Sequence, residues 1–335
     1  MIFFDFGYER AATLRDAAAL LARLGDDARP LAGGTDLLPN MRAELLRPGV
    51  LVGLSGIEPE PPRLEADGSL RIDALTRLAS LAHSDLVREK LPMLAESAHA
   101  VGSRQIREMG TLGGNLCQET RCLYLNQRHD YQFAAPCFKR GGDCCYPFPR
   151  NDRQTCWSVH MSDVAPALIA LGAELEILGA DGTRRIGAEE LYTGSGLRPL
   201  SLGGAELLSA VIVPAQHGIG WGFHKSTVRG GLEFGMAVIA VSLQLAQDRT
   251  TCAGVRIVVG AVRERPLRLA SAERMLTGVP LDDARLARAA ATASQEVNPL
   301  PHHGFTRRHL LDNIRVHLRR TLAQALERAR TTCNA

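Results

Sequence analysis

The spacing of apolar positions divides the chain into segments of different period. "TLRDAAALLARLG", Thr13 to Gly25, repeats Leu and Ala at intervals of three and four, which gathers them on one helical face. Thr13 supplies a hydroxyl cap and Gly25 a stop. Short apolar runs in "RPLAGG" and "GVLVGLSG" read as strands on either side of "TDLLPNMRAELL", so the first 55 residues predict a small αβ unit. "SLRIDALT" predicts a further strand. "TRLASLAHSDLVREKLPMLAESAHAVG" predicts helix with a break near Pro92, since proline has no amide to donate and crowds the preceding turn.

The later segments change character. "DVAPALIALGAELEILGADGTRRI" predicts a helix passing into a hairpin at Asp181-Gly182, and "ELLSAVIVP" a strand. From Gly222 onward, "WGFHKSTVRGGLEFGMAVIAVSLQLA" and "VRIVVGAV" predict strands with a helix or two between them. "SAERMLTG" and the long "RRHLLDNIRVHLRRTLAQALERA" predict helices, the second amphipathic and packing on its own domain. The class is α+β. A boundary after Pro214, between 215 and 222, gives domains at 1–218 and 219–335, with no internal repeat.

Composition narrows the function classes. A chain of 335 residues, 45% hydrophobic and 22% charged, suits two or three globular domains. A net charge of +3 without basic runs gives no electrostatic footprint for nucleic acid. The longest apolar run, "VAPALIALGA", is far short of a membrane span, and the acid-interrupted "MIFFDFGYERAAT" does not read as a signal peptide. A cytoplasmic location is therefore expected. Lysine occurs only at 90, 139 and 225.

Two glycine turns carry candidate chemistry. In "AGGTD" (Ala32 to Asp36) and "TLGGN" (Thr111 to Asn115), paired glycines let the backbone approach a phosphate, and a threonine hydroxyl stands beside them. Neither has the G-x-G-x-x-G spacing of a Rossmann turn. Taken alone, each also reads as an ordinary turn.

The order "LAGGTDLLP", "REMGTLGGNL", "SDVAPALIALGA", "GFHKSTVR" resembles the FAD-binding subunit of the xanthine oxidase family of molybdenum hydroxylases over nearly the whole chain. The resemblance implies a two-subdomain FAD-binding domain followed by a smaller α+β flavoprotein domain. It implies that Leu31, Ala32, Gly33, Gly34, Thr35, Asp36 and Leu37, together with Thr111, Gly113, Gly114 and Asn115, cradle the FAD pyrophosphate. By the same resemblance Asp163 binds the flavin's polar chain, Leu207 lies against the isoalloxazine region and Lys225 reaches the flavin or its polar edge. Read from the residues alone, Asp163 also suits a plain helix cap, Leu207 a strand core position and Lys225 a solvated side chain.

Five of the eight cysteines fall between Arg121 and Trp157, in "RCLYLNQRHDYQFAAPCFKRGGDCCYPFPRNDRQTCW". In a reducing compartment such clustering points to metal or redox chemistry rather than disulfides. No C-x-x-C pair of the kind zinc prefers is present, whereas loops that bind iron–sulfur clusters tolerate irregular spacing. Most flavin subunits of this family lack such an insertion. The branch exemplified by 4-hydroxybenzoyl-CoA reductase has one, at about 117–157 here, and this chain resembles it. That resemblance implies a [4Fe–4S] cluster on Cys122, Cys137, Cys145 and Cys156, with Cys145 preferred to its neighbour Cys144 because seven residues then separate it from Cys137. Cys117 is read as packing near the flavin, and Cys252 and Cys333 as ordinary thiols.

The function implied is electron transfer, with no bond-making residue on this chain. The partners are a large molybdenum-cofactor subunit, a small [2Fe–2S] subunit in a dimer of heterotrimers, and ferredoxin or another one-electron carrier. Two alternatives stand beside it: the flavin subunit of a dehydrogenase for another aromatic or N-heterocyclic substrate, and a zinc-stabilised assembly protein without redox function. His302 and His303 in "PHHGF" are read as surface or capping groups.

Overall fold

The structure, a computed structural model, describes residues 4–126, 135–150, 155–300 and 304–332. Three hydrophobic cores organise these residues.

The first core belongs to the N-terminal unit. Strands β1 (Gly7–Arg10), β2 (Ala28–Leu31) and β3 (Val50–Gly53) form a parallel sheet in the order β1-β3-β2, with helices α1 (Leu14–Leu24) and α2 (Leu37–Arg42) between them. The predicted cap of α1 forms, Thr13 Oγ1 accepting from the Asp16 amide at 3.0 Å. Ala17, Ala18 and Leu21 of α1 bury themselves against Val52, Leu54 and Leu207. β1 carried no clear alternation, and only pairing with β3 makes it a strand.

The second unit is an antiparallel sheet backed by short helices. Its order is β4-β5-β8-β6-β7, from β4 (Arg63–Leu64), β5 (Leu70–Asp73), β6 (Glu174–Gly179), β7 (Gly182–Gly187) and β8 (Leu207–Val213). The expected Asp181-Gly182 hairpin joins β6 to β7. The helix expected over 76–102 becomes three pieces, α3 (Leu78–His83), α4 (Asp85–Lys90) and α5 (Pro92–His99), and α6 (Arg104–Met109) follows beyond it. Pro92 opens α5, as anticipated, Ser84 adds a further break by capping α4 with its hydroxyl, and Ser103 caps α6 in the same way. "TLGGNL" is a single helical turn, α7 (Leu112–Leu116), rather than an open loop, and α8 (Val164–Ala170) follows the cysteine segment.

The C-terminal unit is an antiparallel sheet, β12-β11-β10-β9, formed by β9 (Ile219–Ser226), β10 (Ala237–Leu245), β11 (Cys252–Gly260) and β12 (Leu267–Arg268). Helices α9 (Ala270–Leu276), α10 (Asp283–Val297) and α11 (Arg307–Thr332) cover one face. No helix separates β9, β10 and β11, contrary to expectation, because glycine-rich 227–236 is too broken to hold one. The sheet is apolar on both sides. Ile239, Val241 and Val259 face the helices, while Phe223, Val238, Ala240 and Val258 join the core of the second unit. That second face fixes β9 against the domain carrying the glycine turns. Among the described residues no helix is long and apolar enough to cross a membrane.

Candidate functional site

The two glycine turns, 75 residues apart in sequence, touch. β2 ends at Leu31, and the chain leaves the sheet with Gly33 pressed on the Met109–Gly110 backbone, so closely that a Cβ would stand 1.9 Å from the Met109 oxygen. Gly34 follows with φ +72°, a left-handed conformation that glycine adopts at least cost. Its carbonyl accepts from Leu38, while the amides of Gly34, Thr35, Asp36 and Leu37 find no acceptor among the described residues. Such a run of free N–H groups is suited to an anion.

The second turn works differently. Leu112 donates to Thr76 O, Gly113 to Ala74 O, Gly114 to Thr111 Oγ1 and Asn115 to Thr111 O, at 2.7–3.0 Å. Four of its five amides are thus held within the protein, so this turn has fewer to offer than the first. The Thr111 hydroxyl proton and the Asn115 side-chain Nδ2 are further donors, the Oδ1 being occupied by Ser162.

The turns stand at the junction of two cavities, of about 390 and 460 Å³, which share Thr35, Asp36, Thr111, Gly114 and Gln118 in their walls. Together they make one bipartite cleft of a size that encloses a dinucleotide-class ligand. Asn115, Asp163 and Lys225 line the first cavity; Ala32, Gly33, Gly34, Leu37, Gly113, Cys117 and Leu207 line the second. Leu207 thus lines one cavity of the cleft and Lys225 the other. Leu31 contributes its side chain beneath Gly34.

Asp163 and Lys225 form the most buried ion pair of the cleft, with side chains 4% and 8% exposed. Lys225 donates to Asp163 Oδ2 at 2.7 Å and to Ala100 O at 2.8 Å. Lys225 is therefore not a solvated surface charge. Asp163 does not cap α8 either; the Ser162 hydroxyl accepts from Ala165 N at 3.0 Å in that role. Burial pushes the Asp163 carboxyl up to about 6, against the opposing pull of Lys225. Its Oδ1 has no hydrogen-bond partner among the described residues. A buried carboxylate oxygen left unpaired costs about 1–3 kcal/mol, and a hydroxyl donor on a ligand in the first cavity removes that cost.

Sequence reasoning missed Arg121. It lines the first cavity, ion-pairs with Asp36 and lies 5.5 Å from the centre of the Phe234 ring, whose loop 227–236 closes the cavity on that side. The only signal was a pair of charges, Glu119 and Arg121, between the second turn and the first loop cysteine. Burial raises the Asp36 carboxyl, with Arg121 and the Glu119 amide acting in the other direction.

The cysteine segment is a loop closed at its base. Arg121 and Val159 exchange two backbone hydrogen bonds, of 2.7 and 2.8 Å. Within the loop, Phe138 N donates to Cys144 O at 2.8 Å, and Gly141 turns the chain at φ +87°. All seven described cysteines are free thiols. Burial raises Cys122 and Cys145, opposed by the amides of Tyr124 and Leu125 directed at the first and of Phe148 and Trp157 at the second. Cys137 and Cys156 each bear electrostatically on both. Among the described residues, no group of three or more His, Cys, Asp or Glu side chains is placed to hold a metal ion. Cys117 is half-buried in the cleft wall, desolvation pushing its thiol up to about 12, and Cys252 lies in the C-terminal core. Residues 127–134, with "HDYQF", and His302, His303 and Cys333 lie outside the described residues.

Known proteins share this organisation. Residues 4–216 match the family described as FAD binding domain in molybdopterin dehydrogenase, and residues 222–328 match the CO dehydrogenase flavoprotein C-terminal domain. The carbon monoxide dehydrogenase medium chain of Afipia carboxidovorans is 31% identical over 332 residues, covering 98% of this chain and 100% of its own. The FAD-binding subunit of the Escherichia coli aldehyde oxidoreductase is 32% identical, covering 81% of this chain and 86% of its own. In structure, a chain of the reconstituted CO dehydrogenase from Oligotropha carboxidovorans superposes with a TM-score of 0.79 at 29% identity, covering 98% of this chain and 100% of that one. The chain belongs to the FAD-binding medium subunits of the xanthine oxidase family of molybdenum hydroxylases.

Proposed function

We propose that this chain is the electron-transfer subunit of a molybdenum hydroxylase-type complex, holding FAD in the bipartite cleft and a [4Fe–4S] cluster on the cysteine loop. The observation that carries the flavin half is the joined pair of cavities with free amides at the junction and the unpartnered Asp163 Oδ1 in one wall. The residues fit the cofactor. Gly33 to Leu37 would bind the pyrophosphate through their amides, assisted by Thr111 and Asn115. Asp163 would accept from a hydroxyl of the flavin's chain, with Lys225 holding the carboxylate in place. Leu207, in the wall of the second cavity, would lie against the isoalloxazine region.

The cluster half is supported by the donor set. Cys137 and Cys156 act electrostatically on both Cys122 and Cys145, and amides point at the latter two sulfurs, an arrangement that stabilises cluster thiolates. A cubane holds its four thiolates farther apart than a single ion does, so the lack of a single-ion site among the described residues is compatible with this donor set. When bound, the two groups supply one- and two-electron exchange. The chain's own residues bind them, exclude water and hold their spacing. We further propose division into domains at 1–218 and 219–335, a cytoplasmic setting, and association with a large molybdenum subunit and a small [2Fe–2S] subunit.

The cysteine loop favours 4-hydroxybenzoyl-CoA reductase-like chemistry, reductive dehydroxylation with electrons from ferredoxin. A second reading, oxidation of an N-heterocycle, is favoured by the nicotine 6-hydroxylase medium subunit of Paenarthrobacter nicotinovorans, 28% identical over 321 residues. Turnover by the complete complex separates them. Dehydroxylation of 4-hydroxybenzoyl-CoA driven by reduced ferredoxin supports the first. Nicotine-type hydroxylation with no such dehydroxylation supports the second.

A further inference from the structure

The cysteine loop and the cofactor cleft meet through charged side chains that the cradling of either group does not require. Asp36, at the end of the first glycine turn, accepts from the Glu119 amide at 3.0 Å and from the Arg121 guanidinium. Arg121 is bonded directly to Cys122. The Glu119 side chain reaches the other way, its Oε1 accepting from Lys139 Nζ at 2.6 Å, and Lys139 also donates to Thr120 Oγ1 at 3.0 Å. Lys139 belongs to the short helical turn Phe138–Arg140, which follows Cys137. The Thr120 and Ser158 hydroxyls are 2.6 Å apart, and Ser158 Oγ is 3.2 Å from Cys156 Sγ. Three loop cysteines therefore connect to Asp36 through short polar contacts.

Burial makes these contacts mechanically significant. The Lys139 and Glu119 side chains are 12% and 21% exposed, and those of Arg121 and Asp36 are 20% and 24%. Ion pairs this shielded are screened little by salt, and breaking one leaves a charge without its partner. A shift of the Cys137 turn has to carry Lys139 with it, and a shift of Lys139 has to carry Glu119 and the amide held on Asp36.

We propose that the strap Lys139–Glu119 and Arg121–Asp36 is a positioning device that couples order in the cysteine loop to occupancy of the first glycine turn by FAD. The proposal rests on the flavin reading of the cleft. Bound FAD fixes Gly33 to Leu37, hence Asp36, hence the segment 119–122 and the Cys137 turn. Coupling between sites is reciprocal, so a loop ordered by its own ligand tightens FAD by the same factor. Lys139, one of only three lysines, acts through Glu119 and does not touch the flavin cleft.

The test titrates the full chain with FAD, following binding by flavin fluorescence and the loop by amide hydrogen exchange over residues 137–145. In the wild type, saturating FAD slows that exchange by about tenfold, a coupling of ordinary size. Lys139→Met binds FAD yet loses the protection, Lys139→Arg recovers it, and Glu119→Gln loses most of it. The proposal is overturned by exchange at 137–145 that is the same with and without FAD in the wild type, or by full protection in folded Lys139→Met or Glu119→Gln. A titration with no change in flavin fluorescence is a different failure: it removes the flavin reading and the proposal with it.

Discussion

At the scale of single residues, Asp163 is the most informative group. One oxygen holds Lys225, the other has no partner, and its carboxyl sits at about 6 rather than the ordinary 3.8. The raised value means that the folded chain keeps a proton between about 3.8 and 6 that the unfolded chain would release. This contribution to stability is present below 3.8 and lost as pH rises through 6. FAD binding has the opposite sign, because the ionised carboxylate is the better acceptor. Affinity for FAD should fall about tenfold from pH 7.5 to pH 5, one charge-assisted bond being worth about 1.5–3 kcal/mol. In Asp163→Asn, affinity should be low already at pH 7.5 and nearly flat over that range. Asp36 is the other raised carboxylate in the cleft, so the variant rather than the profile alone assigns the step. His160 and His224, both displaced by burial to about 4, titrate below the window. An unchanged pH profile in Asp163→Asn would remove Asp163 from the flavin site. The glycine turns were visible in the sequence as paired glycines beside threonine, but each alone also reads as an ordinary turn, and only the order of the surrounding segments singled them out. The roles of Asp163 and Lys225 came only from resemblance, since their meaning depends on meeting each other across 62 residues.

Among the elements, β9 shows how alternation divides labour. Gly220 and Gly222 face α11 so closely that Cβ atoms would stand 2.1 Å from Ala325 O and 2.3 Å from Thr321 O. His224, next on that face, stacks on His317 at 4.0 Å between ring centres. Phe223 and Lys225, on the other face, serve the FAD-domain core and the cleft. A period of two makes this division unavoidable once the strand's register is set. Of the adjacent Cys144 and Cys145, the second is the proposed ligand, and Cys137 and Cys156 act on it electrostatically. Anaerobically purified Cys145→Ser should lose most of its iron while Cys144→Ser keeps it; the reverse result would transfer the ligand role to Cys144. The loop's cysteine content was plain from sequence, but its closure by Arg121 and Val159 was not, since that bridge joins positions 38 apart.

At the scale of the whole molecule, three cores place a cleft between the first two units and wall it with a strand from the third. The α+β class and most of the elements followed from periodicity. The helix expected between β9 and β10 did not form, because three glycines in 227–236 favour a loop, and that loop brings Phe234 to Arg121. Which cavity of the cleft receives Leu207 and which Lys225 is a consequence of sheet packing that no local pattern encodes. Whether one chain joins a flavin to an iron–sulfur cluster is decided by the cofactor stoichiometry of anaerobically purified protein. One FAD and about four iron atoms per chain are expected, as a single [4Fe–4S] cluster requires. Flavin without iron, or zinc in place of iron, would contradict that expectation.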